Sequence, residues 1–346
     1  MRRVLAIGLV LVMLFTSGGL MVSAGSTAGM VFSDSDTRLL SWSELISKSV
    51  DTLGYAKNEI YAREGYKFMT KKYADYYGKY SWYVIDPSYS DSKLSTIQRA
   101  NIFYIIAAIN SLNGKLTYVP SGKKLDFDRD GKLETLTYSS PNNYSMKLKL
   151  KDGSKYRNWN IVCDTPSKKV YLGDLNIKDY RLELFVDEFG PSDDYQIYVA
   201  SVSPTVFIKR GVVPGTLADV KLLKNGSIST MKRMNILMTW YCRVKYSLSP
   251  AGKMRFVHQS WYNMGNFKLK TKMRFALLKT SNIHYLINKF VIPAGGTFYL
   301  QKTDDKKWIL IKYKNKLGWL LMADLYTLLD PFMPASDIFT GLIIAD

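Results

Sequence analysis

Short strands separated by turns run through the middle of the sequence and constrain its fold most strongly. From Asn113-Gly114 to about residue 270, hydrophobic and polar residues alternate over short runs, which is typical of β-strands with one buried face. The predicted strands are Leu133–Tyr138, Met146–Leu150, Lys169–Leu172, Leu182–Val186 and Tyr195–Val199. Turn signals stand at Asp152-Gly153, Asn225-Gly226 and Ala251-Gly252. This spacing predicts an antiparallel β domain over residues 111–270, either a sandwich or a propeller-like assembly of sheets.

One turn of this β domain has the acidic pattern of a cation-binding loop. Between residues 126 and 134, acidic residues stand at alternate positions and Gly131 permits a sharp turn. Alternating carboxylates converge when a loop curls around a hard cation such as Ca²⁺. The expected ligands are the side chains of Asp126, Asp128, Asp130 and Glu134 and the backbone carbonyl of Lys132. Alternatively, the carboxylates cap backbone amides of the turn, and Arg129 and Lys132 neutralise them.

The position of this loop between strands distinguishes it from an EF-hand. Glu134 comes too early for a twelve-residue loop, and helices do not flank it. The pattern resembles the calcium loops of FG-GAP-type repeats, which lie between strands of β-propellers. Residues 174–183 look like a degraded second copy, with Lys178 where a ligand is expected. The resemblance implies a structural Ca²⁺ at the first loop and no strong metal site at the second.

A small helical domain is predicted before the β region, over residues 38–110. Hydrophobic residues recur with helical spacing at Leu53, Ala56, Ile60 and Tyr61. Gly65 follows where glycine often ends a helix. The stretch Ser41-Trp-Ser-Glu44 has the pattern of a capping box at an earlier helix. A second long helix is expected to begin with Asp91 or Ser92 as its cap.

Several residues of this helical domain match a known pattern. They are Ala56–Arg63, Gly65, Phe68, Trp82-Tyr83, Leu94 and Asn101-Ile102. The set resembles the YARHG domain, a module of secreted bacterial proteins with a proposed cell-wall-related role. Glu64 departs from the pattern, because the family has histidine there. The candidate binding residues of this domain are Tyr61, Arg63, Glu64, Trp82 and Tyr83.

Each candidate of this domain also has a structural interpretation. The rings of Trp82 and Tyr83 either stack on the sugar rings of a glycan or fill the core of a small domain. The guanidinium of Arg63 either receives a carboxylate or phosphate from a partner or pairs internally with Glu59 or Glu64. Glu59 and Glu64 lie five residues apart on one helix and point in different directions. They therefore do not form the facing pair of carboxylates that glycan cleavage requires.

Glycine- and tryptophan-centred strand patterns follow one another over residues 271–330. They are Asn282-Ile283, Val291–Tyr299, Trp308–Tyr313 and Gly318-Trp-Leu320. Their order resembles a bacterial SH3-type domain, which implies a small barrel that contacts peptidoglycan peptides. The candidate contacts are Trp308, Tyr313 and Trp319; alternatively, these rings fill the barrel. The tail, residues 331–346, ends in a hydrophobic run that can pack back as an extra strand.

The first residues of the chain predict secretion. Arg2-Arg3 precede a hydrophobic run from Val4 to Phe15, and Val22-Ser-Ala24 is a small-x-small cleavage site. This is the pattern of a secretory signal peptide over residues 1–24. Residues 25–37 are small and polar and predict a flexible leader.

The charge of the chain predicts an anionic partner. The sequence has 48 Lys and Arg residues and 29 Asp and Glu residues, a formal net charge of +19. Such a balance favours polyanions. Nucleic acid is not expected, because the chain has a predicted signal peptide and no nucleic-acid-binding motif. Wall teichoic acid or the membrane surface is the expected partner; alternatively, the charge serves solubility only.

Few residues are available for a reactive centre. Cys163 and Cys242 are the two cysteines, and the sequence leaves open whether they form a disulfide. His258 and His284 are the two histidines. A zinc site or a histidine-based catalytic centre therefore has little material.

These patterns together predict an α+β multidomain protein of the cell envelope. It has a small helical N-terminal domain, an antiparallel middle domain and a C-terminal SH3-like barrel. The expected function is non-catalytic binding of peptidoglycan or anionic wall polymers outside the cell, peripheral to the membrane at most. One alternative is a cell-wall hydrolase, which would need Glu59, Glu64 and Asp75 to converge in an open groove. Another is a binding or inhibitory partner of an envelope protein, which would expose a large apolar groove.

Overall fold

Helices come first in the chain and strands follow, as the α+β prediction requires. The structure is a computed structural model that describes residues 27–179, 181–191, 194–281 and 289–345. The predicted signal peptide and the Asn282-Ile283 pattern lie outside these ranges. The N-terminal helices are α1 (Trp42–Ile46), α2 (Val50–Arg63), α3 (Lys71–Tyr77) and α4 (Thr96–Leu112). No helix in the described ranges is both long and hydrophobic enough to cross a membrane.

Capping boxes fix where α1 and α4 begin. Ser41 and Glu44 form the predicted capping box at α1. A second capping box stands at α4, where Ser95 pairs with Gln98. The predicted caps at positions 91 and 92 are wrong, because Asp91–Lys93 form a short 3-10 turn before the helix.

Residues 28–37 differ from the predicted flexible leader, because they pack against α2. The backbone N–H groups of Val31 and Phe32 donate to the carboxylate of Glu59, the latter at 3.3 Å from Oε1. The Phe32 ring is buried in the hydrophobic core that the helices form. Glu59 is itself buried, so its hydrogen bonds to this segment hold the segment in place.

Three antiparallel sheets follow the helices in the described residues. Sheet 1 contains β2 (Lys123–Leu125), β3 (Glu134–Asn142), β4 (Ser145–Asp152) and β5 (Lys155–Val162). Sheet 2 contains β1 (Thr117–Val119), β6 (Val170–Gly173), β7 (Glu183–Glu188), β8 (Gln196–Val202) and β9 (Phe207–Pro214). Sheet 3 contains β10 (Lys221–Leu222), β11 (Ser227–Met234), β12 (Trp240–Leu248) and β13 (Met254–Val257). Consecutive strands are neighbours in each sheet, with β1 added beside β6.

A fourth, larger sheet closes the chain. Its strands are β14 (Tyr262–Asn263), β15 (Lys268–Thr271), β16 (Phe275–Leu278), β17 (Lys289–Ile292), β18 (Thr297–Thr303), β19 (Trp308–Tyr313), β20 (Lys316–Leu321) and β23 (Phe339–Thr340). Between β20 and β23 lie β21 (Thr327–Leu329), β22 (Phe332–Pro334) and α5 (Ala335–Ile338). The tail thus returns as the extra strand β23 beside β15. The sheet also begins before residue 271, so it is larger than the predicted barrel, and its likeness to an SH3-type domain stays a prediction.

The sheets share cores with their neighbours along the chain. Every residue of β7 is buried, because sheet 2 is covered on both faces. Leu184 and Val186 belong to the core shared with sheet 1 and the helices, whereas Phe185 belongs to the core shared with sheet 3. This alternation follows from the opposite directions of successive side chains in a strand. The helical domain therefore shares its larger core with the β region, while a smaller cluster around Ala62, Phe68 and Tyr77 lies within the domain itself.

The left-handed turn after α2 gives a testable prediction. Gly65 has φ +82°, and an added Cβ would lie 2.6 Å from Asp86 Cβ. Gly122 has a similar φ of +86° but open space around it. We expect Gly122→Ala to lower the free energy of unfolding by about 1–2 kcal/mol from backbone strain alone. We expect Gly65→Ala to lower it by about 1–3 kcal/mol more, because Asp86 must move. Urea denaturation measures both, and equal losses would contradict the close approach.

Candidate functional site

The first acidic loop, residues 126–134, joins β2 to β3. Four of its carboxylates can each place an oxygen within 4.8 Å of the others, and they belong to Asp126, Asp128, Asp130 and Glu134. Left-handed backbone at Arg129 and Gly131, with φ +67° and +87°, lets the loop curl. The structure thus brings together the side chains that the sequence predicts as ligands. The predicted role of the Lys132 carbonyl stays a prediction, while the Lys132 ammonium lies 3.6 Å from Asp130 Oδ2.

Backbone amides satisfy only part of these carboxylates. The amide of Phe127 donates to Glu134 Oε2 at 2.7 Å, and the amide of Gly131 donates to Asp126 Oδ2 at 3.0 Å. The amide-capping interpretation is therefore realised in part. In the described part of the chain, however, Asp126 Oδ1 and Glu134 Oε1 are buried and accept no hydrogen bond. Buried oxygens of this kind normally have a partner.

Besides Lys132 beside Asp130, one buried basic side chain of the described residues lies near the four acidic groups of the loop. Arg157 of β5 contacts Asp128 Oδ2, and its Nη2 lies 4.0 Å from Glu134 Oε1. A single buried guanidinium faces four carboxylates there. Burial, together with the charge of Asp128, raises the pKa of Glu134 to about 8. Burial also raises the pKa of Asp126 to about 6. These groups therefore carry negative charge that a proton or an added cation could neutralise.

Sequence reasoning missed Arg157 as the neutralising group, although a signal was present. Arg157 lies on β5 in the alternating row of buried positions with Trp159 and Ile161. A charged residue at a buried strand position requires a partner of opposite charge. That partner is 29 residues away in sequence, so only the sheet register brings the two together.

The second acidic loop, residues 174–183, joins β6 to β7 and repeats this construction. The amide of Leu175 donates to Glu183 Oε2 at 2.9 Å, as Phe127 does to Glu134 in the first loop. The amide of Asn176 donates to Asp174 Oδ1 at 2.8 Å. The two loops are therefore alike in how the last glutamate holds the residue after the first aspartate.

The second loop differs because the protein supplies the missing donors. Trp42 Nε1 donates to Asp174 Oδ2 at 2.6 Å. Ser201 Oγ donates to Glu183 Oε1 at 2.6 Å. In the first loop, an oxygen of the corresponding aspartate and one of the corresponding glutamate lack such donors among the described residues. The first loop can therefore hold a metal ion. In the second loop, Trp42 and Ser201 already donate to the corresponding oxygens.

Both loops also form hydrogen bonds with the helical domain. Trp42 of α1 bonds the second loop, and the hydroxyl of Tyr104 of α4 donates to the backbone carbonyl of Asp126 in the first. The two rings lie 6.0 Å apart, centroid to centroid. One aromatic pair thus fixes the helices on both loops at once.

The guanidinium of Arg63 is used inside the helical domain. It donates to the carbonyl of Ser33 at 2.7 Å and to Ser35 Oγ at 2.6 Å, and it lies 3.3 Å from Asp36 Oδ1. Arg63 is thus paired internally, as one interpretation predicted, but its partners belong to the segment before α1 and not to Glu59 or Glu64. Glu64 instead accepts a hydrogen bond from Gln98 Nε2 at 2.6 Å.

A comparison with known protein families matches residues 28–110 to the YARHG domain. Residues 28–110 are a YARHG domain. The match confirms the predicted resemblance and starts at residue 28, which agrees with the packed segment before α1. No curated protein and no solved structure matches the chain. The predicted likenesses to FG-GAP repeats and SH3-type domains stay predictions.

The candidate aromatic residues of the YARHG domain are bonded within it. Trp82 Nε1 donates to the carbonyl of Ala28 at 2.9 Å, and the hydroxyl of Tyr83 donates to the carbonyl of Tyr66 at 2.8 Å. The ring of Tyr61 packs 5.8 Å from that of Tyr66. These contacts support the domain's own fold, and contact with a ligand stays a prediction for all three rings.

The acidic residues of the YARHG domain do not form a reactive cluster. Glu59 bonds the segment before α1, Glu64 bonds Gln98, and Asp75 pairs with Lys71 at 2.6 Å on the surface. The first acidic loop is where described acidic residues gather into such a group. The convergence that a hydrolase would need is therefore not seen in the described residues.

The candidate tryptophans of the fourth sheet have different surroundings. Trp308 is only 5% exposed and packs with Leu278 and Leu321 in a small core. Trp319 is half-buried, and its ring centroid lies 5.0 Å from that of Trp261. Tyr313 is also half-buried. The prediction missed Trp261, which precedes the predicted barrel in sequence.

The two cysteines are separate in the structure. Cys163 follows β5 and Cys242 lies in β12, and both are free and buried. Burial raises the pKa of each thiol to about 11. Such thiols are poor nucleophiles at neutral pH.

The second acidic loop gives a pH prediction. Burial raises the pKa of Glu183 from 4.5 to about 8 in the folded protein. The folded state therefore binds a proton that the unfolded chain releases, and stability falls as pH rises through these values. Glu183→Gln keeps an acceptor for Leu175 and offers a donor to Ser201. We expect the variant's Tm to fall less than the wild-type Tm between about pH 5 and about pH 8. Thermal melts in the presence of a chelator test this, and parallel curves would contradict it.

Proposed function

We propose that this protein is a secreted, non-catalytic binding protein of the cell envelope. Its ligand is peptidoglycan or an anionic wall polymer, and it is peripheral to the membrane at most. The observation that carries the proposal is the YARHG domain at residues 28–110. The family has a proposed cell-wall-related role, and the predicted signal peptide agrees with that location.

The charge of the chain supports an anionic surface as partner. The chain has 48 basic and 29 acidic residues. This excess of positive charge attracts wall polymers that carry phosphates or carboxylates. Attraction between exposed charges weakens as salt shortens its range. The salt dependence of binding therefore separates charge attraction from specific contacts.

Binding is favoured over catalysis because the acidic groups of the YARHG domain are already engaged. Glu59 is buried and holds the segment before α1, and Glu64 accepts from Gln98. A general acid or base needs a reachable proton at the substrate. We therefore propose contacts rather than cleavage for this domain.

We further propose Ca²⁺ as a structural ion of the first acidic loop. Ca²⁺ binds six to eight oxygen ligands, and this loop offers four carboxylates without a histidine or cysteine. The buried oxygens of Asp126 and Glu134 that accept no hydrogen bond among the described residues would serve as ligands of the ion. When bound, the ion supplies positive charge that Arg157 alone does not provide.

A matched pair of variants tests the ion. Asp130 and Asp179 are exposed residues of the first and second loops, and each accepts an amide hydrogen bond at 2.9 Å from the residue two positions on. We expect Ca²⁺ to raise the Tm of the wild type, because it binds only the folded loop. Asp130→Asn should weaken Ca²⁺ binding at least about tenfold, since it removes a charged ligand. Asp179→Asn should not change it. Calorimetric titration measures both, and equal effects or no Ca²⁺ binding by the wild type would refute the site.

Retention on purified wall sacculi tests the main proposal. The secreted chain is applied to sacculi with and without teichoic acid, at low and high salt, beside an unrelated protein of similar net charge. We expect retention on bare peptidoglycan that survives high salt, because short-range contacts are screened less than exposed charges. If retention disappears when teichoic acid is removed or when the salt concentration is raised, the claim is reduced to charge attraction. The absence of any retention would refute wall binding and favour an envelope protein as the partner.

A further inference from the structure

A concave surface on the fourth sheet has the composition of a ligand site. Its volume is about 520 Å³, and its lining includes Trp261, Asn263, Asn266, Gln301 and Lys302. The indole of Trp319 lies beside that of Trp261, with ring centroids 5.0 Å apart. We call this surface, with both indoles, the indole concavity.

Strand register places part of this surface in one row. Asn263 of β14 pairs with Lys302 of β18, Lys302 pairs with Leu310 of β19, and Leu310 pairs with Trp319 of β20. Directly paired residues of antiparallel strands point to the same face of a sheet. Four adjacent strands therefore build the surface, which makes it more rigid than a loop site. The indoles pack on a small core that includes Trp308, which further fixes their positions.

The amide side chains of the concavity retain free hydrogen-bonding groups. Gln301 Nε2 donates to the carbonyl of Leu300 at 3.0 Å and also to Asn266 Oδ1. The amide of Gly265 donates to Asn263 Oδ1 at 2.8 Å. In the described part of the chain, these bonds leave the Nδ2 groups of both asparagines and Gln301 Oε1 unused. Two donors and an acceptor are therefore available to a ligand.

The ammonium of Lys302 is available as well. Its Nζ lies 4.8 Å from the ring centroid of Trp261 and 5.9 Å from that of Trp319. Across the described ranges, it has no carboxylate oxygen within 4.0 Å. A carboxylate bound to Lys302 would therefore hold the adjoining part of its ligand against the two indoles.

We propose that the indole concavity binds a sugar chain that carries acetamido groups and a carboxylate. The apolar faces of sugar rings contact the indoles, which offer large rigid surfaces. The free amide groups pair with hydroxyl or acetamido groups, and Lys302 pairs with the carboxylate. This inference rests on the proposed wall-binding function and assigns it to a glycan strand rather than to a phosphate polymer. A phosphate polymer would need clustered cations, and the lining of the concavity includes one lysine.

Two soluble disaccharides test the chemistry on the secreted chain. One joins N-acetylglucosamine to N-acetylmuramic acid and carries a carboxylate; the other contains two N-acetylglucosamine units and is neutral. We expect the wild type to bind both in calorimetric titration, with higher affinity for the acidic one. Lys302→Gln should weaken binding of the acidic disaccharide about tenfold and leave the neutral one nearly unchanged, since only the charged contact is lost. Trp261→Ala should weaken both at least about tenfold.

Matched controls separate the site from general effects. Lys312→Gln removes the same charge from an exposed position of β19. Phe332→Ala removes an aromatic ring that is 74% exposed, outside the concavity. Neither control should change binding. Thermal melts check folding, and Gln301→Ala, which alters another lining residue, replaces Trp261→Ala if that variant unfolds.

The outcomes distinguish this inference from the proposed function. If the wild type is retained on sacculi but binds neither disaccharide, the glycan assignment is overturned while wall binding stands. If Lys302→Gln and Trp261→Ala bind both disaccharides like the wild type, the concavity is the wrong site. If the wild type binds the disaccharides but not sacculi, the concavity is supported and the wall-binding function fails.

Discussion

Buried carboxylates in the two acidic loops impose the constraint on which the rest of the structure depends. A carboxyl group removed from water must accept hydrogen bonds, face positive charge or take up a proton, or its burial strongly destabilises the fold. In the second loop, Trp42 and Ser201 supply the donors directly. In the first loop, Arg157 supplies only part of the required charge, and two buried oxygens accept no bond among the described residues. The same construction is thus satisfied by protein donors in the second loop and leaves a candidate cation site in the first.

This constraint also determines where the YARHG domain lies. Trp42 and Tyr104 each bond one loop, and the helices share their hydrophobic core with sheets 1 and 2. The domain therefore packs against the β region through a shared core, in addition to its own small cluster around Phe68 and Tyr77. Its acidic and basic side chains, such as Glu59 and Arg63, hold the segment before α1. These side chains are therefore already engaged within the protein. The wall contacts that we infer in greatest detail lie instead at the other end of the chain, in the indole concavity.

The candidate site was predictable where its residues are close in sequence. The four acidic side chains of the first loop were predictable because alternate positions of one short turn converge whenever the turn curls. Arg157 and Trp261 were not, because strand pairing brings them to their partners from distant positions. The candidate residue Trp308 shows the same limit, since its burial depends on Leu278 and Leu321 of other strands.

The sequence by itself determined the order of helices and strands, the end of α2 near Gly65, the YARHG domain and the acidic loop. These depend on local periodicity, on turn residues and on motifs of fixed spacing. Such features can be recognised in the sequence directly. Tertiary structure alone decided that residues 28–37 are packed, that the second loop is closed by Trp42, and that Trp261 joins Trp319. The physical reason is that burial and hydrogen-bond partners depend on contacts between segments far apart in the chain. Hydrophobic and polar patterns do not encode which segments those are.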